Sequence, residues 1–156
     1  MDKTTRETIS AFLAQYDTLA IATEYEGQPY VTRAFYAEQA LQDDSLTLYC
    51  TFIKTSRKLA NLRLNPRVGL FIGPSQPTAW LEATALADTL IDEGSSIIAR
   101  DLVYKKSEVA AAFIARVPIV AVALRVQWLR ITNIAASPMQ LEVTFDQSVA
   151  PQESNR

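Results

Sequence analysis

Thr55-Ser56-Arg57-Lys58 places two hydroxyls, a guanidinium and an ammonium on four consecutive residues. The apolar segment Leu46-Thr47-Leu48-Tyr49-Cys50-Thr51-Phe52 precedes this run. Leu59, Ala60, Leu62 and Leu64 follow it, before Asn65-Pro66. The pattern reads as strand, loop and helix. The charged run then falls at a helix start, where the first backbone N–H groups lack intrahelical acceptors and attract anions. A guanidinium grips a phosphate through a bidentate fork, and an ammonium meets it as a point charge. The stretch therefore has the chemistry of a phosphate site. The same residues also read as a plain serine N-cap followed by a solvated helix face, and pattern alone leaves both readings open.

Other chemistry is excluded by composition. The 156-residue chain has no histidine, which removes imidazole metal sites, a Ser-His-Asp triad and the usual imidazole base. Cys50 is the only cysteine. No internal disulfide can form, and its apolar strand setting reads as a buried thiol rather than a nucleophile. A formal net charge of -2 gives no broad attraction to nucleic acid or an anionic membrane. Any anion site must be local, and Arg57, Lys58, Arg63 and Arg67 supply such a local excess.

The elements that must position these groups can be read in order. Thr4 or Thr5 is expected to cap a first helix with Ile9, Phe12, Leu13 and Tyr16 on its apolar face. A strand over 19–23, a turn at Glu26-Gly27 and a strand from Tyr30 to Tyr36 make a hairpin. Asp43-Asp44-Ser45 turns into the strand at 46–52, and a short helix over 58–64 stops near Pro66. Strands follow at 68–72 and 79–86, separated by the loop at 73–77. A mostly helical region then runs from Asp92-Glu93-Gly94 to about Arg116, where Val117-Pro118 ends it. The strand from Ile119 to Ile131 is long. Val122, Leu124, Val126 and Trp128 are expected on one face of it, with Arg125 and Gln127 on the other. A last strand spans 141–145.

The length suits one domain, taken as residues 1–149, followed by a loose polar tail at 150–156. No apolar run approaches the roughly 20 residues of a membrane span. The opening residues lack the basic-then-apolar pattern of a secretory signal, so a cytoplasmic protein is expected. Six or seven strands with short connections argue for an antiparallel sheet. The helix at 58–64 is too short for a parallel crossover. A mainly β chain closing into an antiparallel barrel, with peripheral helices at its ends, fits best. A barrel of this size fills with side chains, so a large planar ligand must lie outside it, in a groove or at a subunit junction.

Taken together, these segments resemble the pyridoxamine 5'-phosphate oxidase-like family of FMN-binding split barrels. The resemblance covers residues 9 to 145. It is carried by Leu48-Tyr49-Cys50-Thr51 through Thr55-Ser56-Arg57-Lys58 to Asn65-Pro66-Arg67-Val68. Leu19-Ala20-Ile21-Ala22-Thr23 with Gly27-Gln28-Pro29, Trp80-Leu81-Glu82-Ala83 and Trp128-Leu129-Arg130-Ile131 complete it.

The resemblance implies an FMN cofactor at a homodimer interface and a small-molecule redox substrate, with hydride moving to or from flavin N5. It implies that Ser56, Arg57 and Lys58 hold the ribityl phosphate and that Arg33 also reaches it. The backbone of Ala34 and Phe35 runs beside the flavin ring, Thr51 lines the same cleft, and the second subunit covers the ring. Trp80 and Trp128 read as core or interface residues. Tyr30, Tyr36 and Tyr104 read as structural, so no proton donor is assigned. Without histidine the chain lacks the Arg-x-His pair with which the vitamin B6 oxidase holds its substrate, so that activity is not expected. Deazaflavin F420 also carries a phosphate and is compatible with the same cluster. A non-catalytic flavin-binding or flavin-storage protein is the alternative to an oxidoreductase.

Overall fold

The computed structural model describes residues 1–41 and 44–145. The elements in chain order are α1 (Lys3–Leu13), β1 (Thr18–Tyr25), β2 (Gln28–Glu38), β3 (Thr47–Ile53), α2 (Arg57–Leu64) and β4 (Arg67–Ile72). They continue with β5 (Ala79–Asp88), α3 (Glu93–Lys106), α4 (Glu108–Ile114), β6 (Ile119–Asn133) and β7 (Gln140–Thr144).

Strand alternation is the reason a barrel forms. Leu19, Ile21 and Thr23 of β1 are buried, as are Val68, Leu70 and Ile72 of β4 and Leu81, Ala83, Ala85 and Ala87 of β5. Each strand thus buries one face, and a sheet with one apolar face must cover it. Here the sheet covers itself. The strand order is β3-β2-β1-β4-β5-β6-β7, and β3 also pairs with β6. That seam runs antiparallel from Thr47 opposite Arg125 to Ile53 opposite Ile119. It closes six strands into an antiparallel barrel and leaves β7 outside, on β6. The expected mainly β barrel with peripheral helices is the observed architecture.

The interior is side chains. Ile21, Leu48, Phe52, Leu59, Leu81, Leu124 and Leu129 are among its fully enclosed members. A second apolar cluster joins Ala37 of β2 to Val103 of α3 and Ala110 and Ile114 of α4. The β1–β2 hairpin turns at Glu26 (φ 50°) and Gly27 (φ 77°), the pair of left-handed residues that a two-residue primed turn requires. Lys106 ties α3 to the rest. Its ammonium donates to Leu13 O at 3.0 Å, pairs with the Glu38 carboxylate and lies 4.0 Å from the Tyr36 ring centroid.

Three expectations need correction. The first helix is capped by Asp2, not Thr4 or Thr5; its carboxylate accepts from Thr5 N at 2.9 Å. A carboxylate offers a charged acceptor to the positive end of the helix, whereas the Thr5 hydroxyl donates to that same carboxylate. The helical region after Asp92 is two helices. Ser107 breaks it in an extended conformation (φ −137°, ψ 111°) and accepts from Ala110 N, so it ends α3 and starts α4.

The third concerns β6. Thr84 faces Trp128 and Ala85 faces Val126, so Gln127 is an extra residue in the ladder. This bulge reverses the inward phase. Val122, Leu124 and Val126 point inward before it, Leu129 and Ile131 after it, and Trp128 leaves the face it was expected to share. Asp43 of the second turn and the tail at 150–156 lie outside the described residues. Among the described residues no helix is long and apolar enough to cross a membrane.

Candidate functional site

The β3–α2 junction is where the sequence placed its phosphate chemistry. Ser56 occupies the N-cap of α2 with extended backbone (φ −71°, ψ 144°), yet its side chain makes no capping bond. Its Oγ is buried without a hydrogen-bond partner, and Thr51 Oγ1 is in the same condition. Buried hydroxyls are normally partnered in folded proteins. Two unpartnered ones flanking a cationic helix start leave polar capacity for a ligand, and they weigh against the plain N-cap reading of Ser56.

α2 is held in place from its inner side. Asn61 is buried and its Nδ2 donates to Thr23 Oγ1 of β1 at 3.1 Å. One turn on, Asn65 Nδ2 donates to Glu24 Oε2 at 2.6 Å. These bonds fix where residues 56–58 sit. The Arg57 guanidinium rests 4.9 Å from the centroid of the Tyr30 ring on β2. Lys58 turns the other way, with Nζ 5.2 Å from the Phe52 ring centroid. Partial burial pulls the Lys58 ammonium below its usual value; the raising influence of the Cys50 thiol is smaller.

Lys58 enters a cleft of about 260 Å³. Its walls divide by chemistry. Thr18, Arg33, Thr51 and Lys58 bring polar groups, and Ala34, Phe35, Ile53 and Phe113 bring apolar surface. Arg33, Ala34, Phe35, Thr51 and Lys58 were all expected around a single ligand, and β2, β3 and α2 bring them to this one cleft. Ser56 and Arg57 do not line it; Arg57 is exposed beside Tyr30.

Charge is unbalanced there. Some basic groups have acidic partners, such as Arg125 with Asp88, Arg130 with Glu82 and Lys106 with Glu38. Arg63, Arg67, Arg100, Lys105 and Arg116 form no ion pair among the described residues and lie outside this cleft. Among the described residues Arg33, Lys54, Arg57 and Lys58 have no carboxylate partner. The cleft walls contain no acidic residue. Such a concave, cationic surface attracts an anion.

Thr18 and Arg33 also border a second cleft of about 310 Å³, completed by Leu19, Ala20, Phe71 and the Gly73–Pro77 loop. Thr18, Ile53 and Phe113 were missed by the sequence reading. Thr18 and Ile53 are strand-end residues, and Phe113 sits in an apolar helical stripe that reads as core.

The remaining candidates have structural settings. Burial pushes the Cys50 thiol up to about 12, so it is held neutral at ordinary pH. Tyr36 is buried, and its hydroxyl donates to Leu13 O at 2.9 Å. Neither Trp80 nor Trp128 belongs to the core, which corrects that part of the expectation. Trp80 alternates outward from buried Leu81, and the Gln127 bulge turns Trp128 out, where its Nε1 donates to Glu142 at 2.9 Å.

No family model matches this chain, and no curated protein matches it. Solved structures do. A candidate pyridoxamine 5'-phosphate oxidase from Listeria innocua is 22% identical, with TM-score 0.64 over 82% of this chain and 98% of that one. A FAD-binding protein from Mesorhizobium loti is 21% identical, with TM-score 0.57 over 80% of this chain and 90% of that one. A heme-binding protein from Mycobacterium smegmatis is 18% identical, with TM-score 0.69 over 92% of this chain. The match spans 59% of that longer protein. At these identities the likeness establishes the fold. The chain has the split-barrel fold of pyridoxamine 5'-phosphate oxidase-like structures.

Proposed function

We propose that the chain is an FMN-binding flavoprotein oxidoreductase acting on a small redox substrate in the cytoplasm. The observation that carries this reading is the meeting of Arg33, Ala34, Phe35, Thr51 and Lys58 in one cleft, with the unpartnered hydroxyl of Thr51 among its lining residues. In this reading Lys58 and Arg33 meet a phosphate from two walls, and Arg57 adds charge at the rim. Thr51 Oγ1 and Ser56 Oγ donate to its oxygens, using hydroxyls that nothing in the fold occupies. The flavin, when bound, supplies hydride chemistry at its ring, and the protein's part is to bind, orient and exclude water. The FAD-binding description of the Mesorhizobium structure supports a flavin.

A second chain belongs to this reading. Clefts that enclose a small-molecule ligand are commonly about 300–1,000 Å³. The cleft of about 260 Å³ and the cleft of about 310 Å³ that shares Thr18 and Arg33 together give room for such a ligand, and in this reading the second copy of a homodimer covers the flavin ring. The lone buried cysteine suits a reducing compartment.

The heme-binding description of the Mycobacterium smegmatis structure makes heme the competing ligand. Heme has no imidazole to bind here, because the chain has no histidine. F420 shares the phosphate chemistry, and a flavin carrier without turnover shares the whole site.

Titration of dialysed protein with FMN, F420 and heme separates these readings. Saturable FMN binding with quenched flavin fluorescence is expected, together with loss of most affinity in Arg57→Ala/Lys58→Ala. Heme binding with no response to FMN overturns the proposal. Fast reduction of bound FMN by NADH or NADPH distinguishes an oxidoreductase from a carrier.

A further inference from the structure

Phe113 is exposed without being on open surface. It is 44% accessible, yet it forms one wall of the cleft that holds Arg33 and Lys58. The rest of α4 explains its direction. Ala110 and Ile114 are the buried residues of this short helix, packed with Val103 of α3 and Ala37 of β2. A helix that buries positions 110 and 114 turns position 113 to the edge of its buried face. The backbone around it is constrained at both ends. Ser107 caps the start of α4, and the chain enters β6 soon after Ala115.

The other aromatic residue in the cleft, Phe35, is already engaged with the second apolar cluster. Phe113 belongs to neither core cluster. Of the two rings it is the more exposed and the one not packed against a core cluster. An isolated exposed Phe needs no explanation on a protein surface. One that shares a cleft with Arg33 and Lys58, neither of which has a carboxylate partner among the described residues, does, because the cleft then offers an aromatic surface together with anion-binding groups.

We propose that Phe113 is a ligand-binding residue that stacks against the planar ring of the bound molecule. It thereby selects a flat aromatic compound bearing a phosphate over a phosphate alone. This rests on the flavin reading of the same cleft and assigns the ring, as distinct from the phosphate, to a residue of α4. Phe113 is not a catalytic residue here; it sets which molecules are held.

Riboflavin shares the ring system of FMN and lacks the phosphate, so the two together separate the walls. Phe113→Ala should weaken FMN and riboflavin by the same factor, about tenfold given what aromatic stacking contributes per planar ring. Phe113→Leu, which keeps apolar bulk without a π face, should behave like Phe113→Ala, and Phe113→Trp should retain affinity. Arg57→Ala/Lys58→Ala should weaken FMN and leave riboflavin unchanged. Inorganic phosphate, measured by its competition with FMN, should bind Phe113→Ala and the unaltered protein alike. Thermal melts of each variant keep loss of fold apart from loss of stacking. Wild-type affinity of Phe113→Ala for both flavins overturns the proposal, as does full affinity of Phe113→Leu. If the unaltered protein binds neither FMN nor riboflavin, the flavin reading itself is wrong.

Discussion

Asn61 Nδ2 and Thr23 Oγ1 meet at 3.1 Å in the interior, joining the helix that carries Arg57 and Lys58 to the first strand of the barrel. Asn61 is 5% exposed and Thr23 2%. The bond is a buried polar staple, and its loss leaves an unsatisfied group in a dry place. Asn61→Ala should cost about 1–3 kcal/mol in urea unfolding. It should also weaken phosphate-ligand binding, because the start of α2 loses its anchor. Replacing both partners, Asn61→Leu with Thr23→Val, should recover much of the stability without restoring the binding. Equal recovery of both would show that the staple does not position the site.

Ser56→Ala separates cap from ligand site. An N-cap serine that bonds its helix usually contributes about 0.5–2 kcal/mol. Ser56 makes no such bond, and its hydroxyl is buried without a partner. The alanine variant should melt within a degree or two of the unaltered protein while binding FMN more weakly. A large fall in Tm with unchanged affinity would make Ser56 a cap after all.

Lys58 gives a pH signature. Burial lowers its folded pKa below 10.5, so the unfolded chain holds the proton more tightly. Between those two values the unfolded state binds more protons, and stability rises with pH through that window. Lys58→Met should remove this rise and stabilise the unliganded protein at neutral pH. A bound phosphate favours the charged ammonium, so binding at alkaline pH should take up protons. Calorimetry in buffers of different ionisation heat reads that uptake; none in that window would mean that Lys58 does not face the anion.

Cys50 works in the opposite sense. Its thiol moves from 9.0 to about 12 on folding, because burial disfavours the thiolate. Stability from this residue is complete below pH 9 and is lost as pH rises toward 12. The native thiol should react with an aromatic disulfide reagent only at the rate of opening, and rapidly in denaturant. Fast labelling under native conditions would refute its burial.

Most of the fold was legible because two-residue alternation and turn residues are local signals. The strand at 19–23, the Glu26-Gly27 turn and the strand at 68–72 fell where hydrophobic period and backbone freedom put them. The break at Ser107 was hidden because apolar residues continue at helical spacing on both sides of it. The bulge at Gln127 was hidden because nothing in β6 alone reveals that its partner strand is one residue short. The site divided along the same line. Resemblance to a family pointed to Arg33, Ala34, Phe35, Thr51 and Lys58, and the barrel brought them together. Phe113 comes from an element more than fifty residues further along the chain, and no local pattern connects it to a cleft. The Asn61–Thr23 staple was equally invisible, since both residues sit among apolar neighbours that the period explains by itself.

The seam between β3 and β6 also has a consequence for how the chain is made. Thr47 waits for Arg125, and Phe52 for Val120. During synthesis the first five strands of the cylinder are made before β6, the strand that pairs with both β3 and β5 and closes it. Shutting it depends on a segment translated about seventy residues later, and contacts so distant in sequence form slowly. Nascent chains halted before residue 119 should therefore depend on chaperones, whereas those extended past 133 should become protease-resistant.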